Sequence, residues 1–148
     1  MYKNILVPLD GSKRAEAILP HVVALARADG AKVHLLQVVE PDLILDMPDS
    51  MTAVREPINL EARKEHAEAY LVKQQSTLRK KDIEVDIQVS HGMPIQRIVD
   101  IAEVEDVDLI AIVSHGRTGL ARAIFGSVAA DVLLRAKRPV FVIRALDR

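Results

Sequence analysis

The segment Ser114-His115-Gly116-Arg117-Thr118-Gly119-Leu120-Ala121-Arg122-Ala123-Ile124-Phe125-Gly126-Ser127 constrains this chain more than any other. It follows the apolar run Asp108-Leu109-Ile110-Ala111-Ile112-Val113 and leads into a helical pattern over residues 128–137. A buried strand therefore empties into a glycine-punctuated loop that ends as a Gly-Ser helix start. The first turn of a helix leaves backbone N–H groups unpaired and carries about half a positive charge, so it seats anions. Glycine lets a backbone approach such an anion without a Cβ in the way. Strand, loop and helix in this order point to a phosphorylated ligand.

The rest of the chain repeats the same alternation. Ile5-Leu6-Val7-Pro8-Leu9 reads as a buried strand closing at Asp10-Gly11-Ser12, a turn and helix-start signal. Residues 13–29 carry a helical face of Ala15, Leu19, Val22, Val23 and Ala26, with Pro20 set to kink or divide the helix and Gly30 to end it. A second apolar strand follows over residues 33–39. Residues 40–57 are irregular, framed by Pro41, Pro48 and Pro57, and form either a cover built on Leu43-Ile44-Leu45 or a contact surface. A charged amphipathic helix is expected over 58–80 and a strand with one wet face, near a sheet edge, over 83–89. Gly92 and Pro94 introduce a helix over 95–105, and Pro139-Val140-Phe141-Val142-Ile143 supplies a fifth strand. Nearly continuous apolar strands separated by helices indicate an α/β fold with a parallel sheet covered on both faces. In such sheets ligands bind beyond the carboxyl ends of the strands where strand order reverses. Asp10 and the 114–119 loop both lie at such ends.

Composition removes several function classes. The 148 residues carry 20 Lys and Arg against 21 Asp and Glu, a formal charge of −1, and only 3% are aromatic. Neither a basic field nor stacking platforms are available for nucleic acid, so no nucleic-acid role is expected. With no cysteine, thiolate nucleophiles, disulfides and cysteine metal sites are excluded. His21, His34, His66 and His91 lack metal-ligand spacing. The opening apolar run is too short for a signal-peptide core and no segment approaches a membrane span, so a cytoplasmic protein without membrane contact is expected. The length suits one domain, residues 1–148.

The opening Ile5-Leu6-Val7-Pro8-Leu9-Asp10-Gly11-Ser12, the middle Gly92-Met93-Pro94, and the stretch from Asp108 through Pro139-Val140-Phe141-Val142-Ile143 together resemble the universal stress protein family. The resemblance covers essentially the whole chain. It implies a five-stranded parallel sheet ordered 3-2-1-4-5 with helices on both faces, of the adenine nucleotide alpha hydrolase-like type. It also implies a homodimer made through the Val140-Phe141-Val142-Ile143 strand. Many members bind ATP through Gly, two residues, Gly, nine residues, then Gly-Ser or Gly-Thr. Gly116, Gly126 and Ser127 match, whereas the first glycine position is Val113. A valine there continues a strand comfortably but places extra bulk beside the ligand, weakening the site or closing it.

By this resemblance Asp10 lies near a ribose, the Val38 backbone holds the adenine edge, and Pro8 and Leu9 line the site. Read by itself, Asp10 is equally a turn or N-cap aspartate, and Val38 is a core valine. Gly116, Gly126 and Ser127, with the N–H groups of Ser127, Val128 and Ala129, form the phosphate cradle. Ile112, Val113, Ser114, His115 and Arg117 flank it, Arg117 offering charge-assisted bonds. A lone loop histidine without a positioned carboxylate is no catalytic group, so no catalytic residue is assigned. The reading is a regulatory protein of the stress response that binds ATP or AMP, with magnesium near the phosphates. Its alternatives are a nucleotide-free interaction module closed by Val113, and a slow ATPase. The Gly-Lys-Ser/Thr pairing of efficient phosphate-transfer loops is missing.

Overall fold

The computed structural model describes residues 1–41, 57–115 and 127–145. Strand β1 (Asn4–Pro8) leads through a short 3-10 turn (Ala15–Ile18) into helix α1 (Leu19–Asp29). Then come β2 (Lys32–Val39), α2 (Pro57–Arg79), β3 (Val85–His91), α3 (Pro94–Val104), β4 (Leu109–His115), α4 (Ser127–Arg135) and β5 (Val140–Ala145). Pro20 acts as expected: it occupies the first turn of α1, where its missing N–H costs nothing, and so separates α1 from the 3-10 turn. Gly30 closes α1 in the left-handed region at φ 67°, its N–H reaching the Ala26 carbonyl.

The five strands form one sheet in the order β3-β2-β1-β4-β5, every neighbouring pair parallel. Its residues alternate between two cores. Ile5, Val7, Val33, Leu35, Leu109 and Ala111 pack toward α1 and α2, meeting Ile18, Val22, Leu71 and Leu78. Leu6, Leu36, Ile110 and Ile112 pack toward α3 and α4, meeting Ile98, Ile101, Ala129 and Val132. Each fully buried Ile or Leu contributes about 1.5–3 kcal/mol, so these aliphatics hold the layers together with little aromatic help.

Two local devices set the line between β1 and β4. At its start, the Asp108 carboxylate accepts the N–H groups of Lys3 at 2.6 Å and Asn4 at 2.7 Å, and the Asp108 N–H donates to the Asn4 carbonyl at 2.9 Å. Further along, the β1–β4 register runs through Ile5↔Leu109 and Leu6↔Ile110, while the β1–β2 register continues to Pro8↔Leu36. Leu9 N–H donates to Leu36 O on the β2 side, and alternation then turns the Pro8 nitrogen toward β4. A proline there has no hydrogen to give. The sheet therefore stays stitched between β1 and β2 and parts between β1 and β4, at the reversal point.

Some boundaries differ from expectation. Strand β4 runs on to His115, so Ser114 and His115 belong to the strand rather than to the loop, paired with Arg144 and Ala145 of β5. Strand β3 starts at Val85 instead of 83, because Asp82 at φ 63° and the Ile83 N–H bond to Leu78 O spend those residues on leaving α2. β3 is an edge strand with alternating exposure, as its pattern indicated.

Candidate functional site

A cavity of about 630 Å³ opens beyond the carboxyl ends of β1, β2 and β4, within the range of small-molecule sites. Pro8, Leu9 and Asp10 border it from β1 and its turn, Val38 from β2, Ile112 and Val113 from β4, and Val128 and Ala129 from α4. Eight of the residues selected from sequence thus meet around one space. Ser114 does not join them: it is buried at 4% exposure and absent from the cavity wall. The side chains of His115 and Ser127, and residues Gly116, Arg117 and Gly126, lie outside the described residues, as does Leu43-Ile44-Leu45.

Val113 stands in the cavity wall, where the sequence placed added bulk beside the ligand. Its side chain is 7% exposed and packs in the core facing α1 and α2, while it also borders the cavity. Most of its bulk is thus accommodated by the core. The space beside it stays open.

Asp10 performs the turn role assigned to it. Its Oδ1 accepts the Ser12 N–H at 2.9 Å and the Ser12 hydroxyl at 2.5 Å, and Ser12 Oγ accepts the Ala15 N–H at 3.1 Å. Gly11 takes φ 86°, which lets the chain turn this tightly. The exposed Asp10 carboxylate is consequently held at the cavity rim by a fixed local network.

The cavity has a second wall that the sequence did not disclose. Ala62, Arg63 and His66 of α2 line it, together with Gln37, Glu40 and Ala15. Arg63 Nη2 donates to the Glu40 carbonyl at 2.7 Å, tying α2 to the end of β2. Deeper along α2, the Tyr70 hydroxyl donates to Glu16 Oε2 at 3.1 Å. Burial, then this bond and the charges of Glu16 and Asp10, push the Tyr70 phenol well above its usual range. Pro94 and Ile98 of α3 complete the apolar side with Val38, Ile112 and Val128. The site thus has an aliphatic side and a polar side. Gln37 carried a signal in the sequence, being polar within an apolar strand. Arg63 and His66 carried none, because helical spacing does not tell which element a face will meet.

Among the described residues no group of three or more His, Asp or Glu is arranged to hold a metal ion, and no helix is long and apolar enough to cross a membrane.

The model of the universal stress protein family matches residues 1–144. The chain belongs to the universal stress protein family. A universal stress protein of Methanocaldococcus jannaschii is 35% identical over 158 aligned residues, covering 97% of this chain and 96% of that one. The solved structure of the universal stress protein UspA from Lactobacillus plantarum superposes with a TM-score of 0.80 at 28% identity, covering 97% and 98% of the two chains. A universal stress protein from Archaeoglobus fulgidus solved in complex with dAMP matches with a TM-score of 0.66 at 28% identity, covering 96% and 98%. The sheet order and the helices on both faces are those of this family's adenine nucleotide alpha hydrolase-like fold.

Proposed function

We propose that residues 1–148 act as one universal stress protein domain whose β1–β4 crevice binds an adenine nucleotide, ATP or AMP, as a regulatory ligand. The observation that carries this reading is the convergence of Asp10, Val38, Val113 and Val128 on one open cavity at the reversal point. The aliphatic side suits a purine face, and Asp10 suits ribose hydroxyls. The start of α4 at Ser127 suits phosphate oxygens. The dAMP complex of the Archaeoglobus fulgidus relative supports the ligand class. The open space beside Val113 favours this reading over a closed, nucleotide-free module. No described residue makes a cage for magnesium, so a magnesium ion would be carried chiefly by the phosphates. No residue is assigned to catalysis, and the protein is read as cytoplasmic.

The test is thermal unfolding with and without AMP and Mg-ATP. A ligand at a hundred times its dissociation constant adds about 2.7 kcal/mol, which for a chain of this size raises Tm by about 5–10 °C. No shift with either nucleotide at millimolar concentration overturns the reading.

We also read β5 as the seat of a homodimer. Its residues 140–143 are apolar and only half-buried, and it has one strand neighbour, β4. Ile110 N–H donates to Pro139 O, so alternation turns the Val142 N–H to the free edge. Val142→Pro removes that donor while sparing the β4 ladder, as edge strands tolerate. The expected result by sedimentation is a folded monomer; a dimer that survives Val142→Pro refutes pairing at this edge.

A further inference from the structure

The Asp10 carboxylate at the cavity rim is held by more than its own turn. Its Oδ1 accepts the Ser12 N–H and hydroxyl, and Ser12 Oγ accepts the N–H of Ala15, the first residue of the 3-10 turn. Residues 10–18 are thus one hydrogen-bonded unit, with Asp10 and Ala15 both on the cavity wall. The next residue, Glu16, has a mostly buried side chain, 18% exposed, with Lys13 Nζ at 3.7 Å inside the same unit. Its Oε2 accepts the Tyr70 hydroxyl at 3.1 Å, across 54 positions of the chain. Tyr70 therefore ties the unit that carries Asp10 to the α2 wall. Arg63, two helical turns earlier and so on the same side of α2, makes the corresponding tie to the Glu40 carbonyl at the end of β2.

Burial, the Glu16 bond and the charges of Glu16 and Asp10 all raise the phenol's pKa, so it remains a donor throughout the neutral range. Neither Tyr70 nor Glu16 borders the cavity. Both can reach a ligand only through the turn that Asp10 begins. A carboxylate already fixed in place loses less freedom when it accepts sugar hydroxyls, and that saving appears as affinity. We infer that Tyr70 is a positioning residue for the sugar: through Glu16 and the 3-10 turn it fixes the Asp10 carboxylate before the ligand arrives. This rests on the adenine-nucleotide reading given above and adds to it a group outside the cavity that sets the affinity for the sugar.

The experiment titrates AMP and 2′,3′-dideoxyadenosine 5′-monophosphate, which lacks both sugar hydroxyls, into the full chain and its Tyr70→Phe variant by calorimetry. The unmodified protein prefers AMP by about tenfold or more. Tyr70→Phe weakens AMP about fivefold, the ratio for about 1 kcal/mol, and leaves the dideoxy ligand within about twofold of its affinity for the unmodified protein. Glu16→Ala reproduces this split and serves if the phenylalanine variant does not fold. The double variant binds AMP no more weakly than either single one, as for two residues acting through one bond. Unchanged AMP affinity in Tyr70→Phe overturns the inference, as does an equal loss for both ligands, which a merely structural role would produce. Either result leaves the nucleotide reading intact. Equal binding of both ligands by the unmodified protein removes the sugar contact and the inference with it. Absence of binding by either ligand to the unmodified protein overturns the nucleotide reading as well.

Discussion

Asp10 serves two tasks in this account, and a pair of substitutions separates them. Its Oδ1 accepts two bonds from Ser12, at 2.9 and 2.5 Å, and Ser12 in turn holds the Ala15 N–H. Asp10→Ala removes both acceptor contacts. The turn is exposed, so water replaces part of the loss, leaving about 1 kcal/mol, as for a lost N-cap. For a chain of this length that lowers the apo Tm by about 2–4 °C. Asp10→Asn keeps an oxygen for Ser12 and should move the apo Tm by less than about 2 °C. The ligand sees something else. A carboxylate accepting sugar hydroxyls gives charge-assisted bonds of about 1.5–3 kcal/mol, so Asp10→Ala should weaken AMP about 10–100-fold. Asp10→Asn retains only a neutral acceptor and should weaken it several-fold. Calorimetric titration with AMP, paired with apo melting curves, reads both quantities. An Asp10→Asn protein with unaltered AMP affinity would show that the carboxylate only shapes the turn, and the sugar contact would have to be abandoned.

Other outcomes follow from the same geometry. Asp108→Ala frees the backbone N–H groups of Lys3 and Asn4 at the β1–β4 seam. It should cost about 2–3 kcal/mol after allowance for exposure, read by chemical denaturation; a loss below about 0.5 kcal/mol would show that the aliphatic core holds the seam alone. His34, whose Nε2 lies 3.2 Å from Asn4 Oδ1, has its pKa lowered by burial and then by the Lys32 charge. The unfolded chain therefore binds this proton more readily, so the neutral-imidazole contribution is present above about pH 6.5 and falls as pH drops toward the folded value. Melting curves from pH 8 to 5 should show a decline in stability that is smaller in His34→Gln; identical pH slopes in the two proteins would remove His34 from the explanation.

Much of the fold was legible because local signals and global order agree. Pro20 and Gly30 mark the limits of α1 through their own backbone preferences, and the alternating residues of β3 disclose an edge strand. The loop-side reading of Ser114 and His115 was not correct, since pairing with Arg144 and Ala145, residues about thirty positions away, carries β4 past the last apolar residue. Of the eight cavity residues selected, Pro8, Leu9 and Val38 came through the family resemblance, Asp10 from the resemblance and its place at a strand end, and Val128 and Ala129 from a helix start that follows the glycine loop. The α2 wall was illegible for a physical reason. Arg63 and His66 sit on a charged helix whose docking face is decided by long-range packing of Leu71 and Leu78, not by spacing. The parting of β1 from β4 was equally hidden: it depends on the Pro8 nitrogen facing one neighbour rather than the other.

The central claim is that the space between the diverging ends of β1 and β4 receives the nucleotide, and a crystal structure of the protein grown with saturating AMP tests it most directly. The account predicts density for AMP in the cavity, its sugar beside Asp10, its base against Val38 and Ile112, and its phosphate toward the start of α4 at Ser127. AMP bound at another surface, or a solvent-filled cavity in crystals that hold AMP elsewhere, would contradict it.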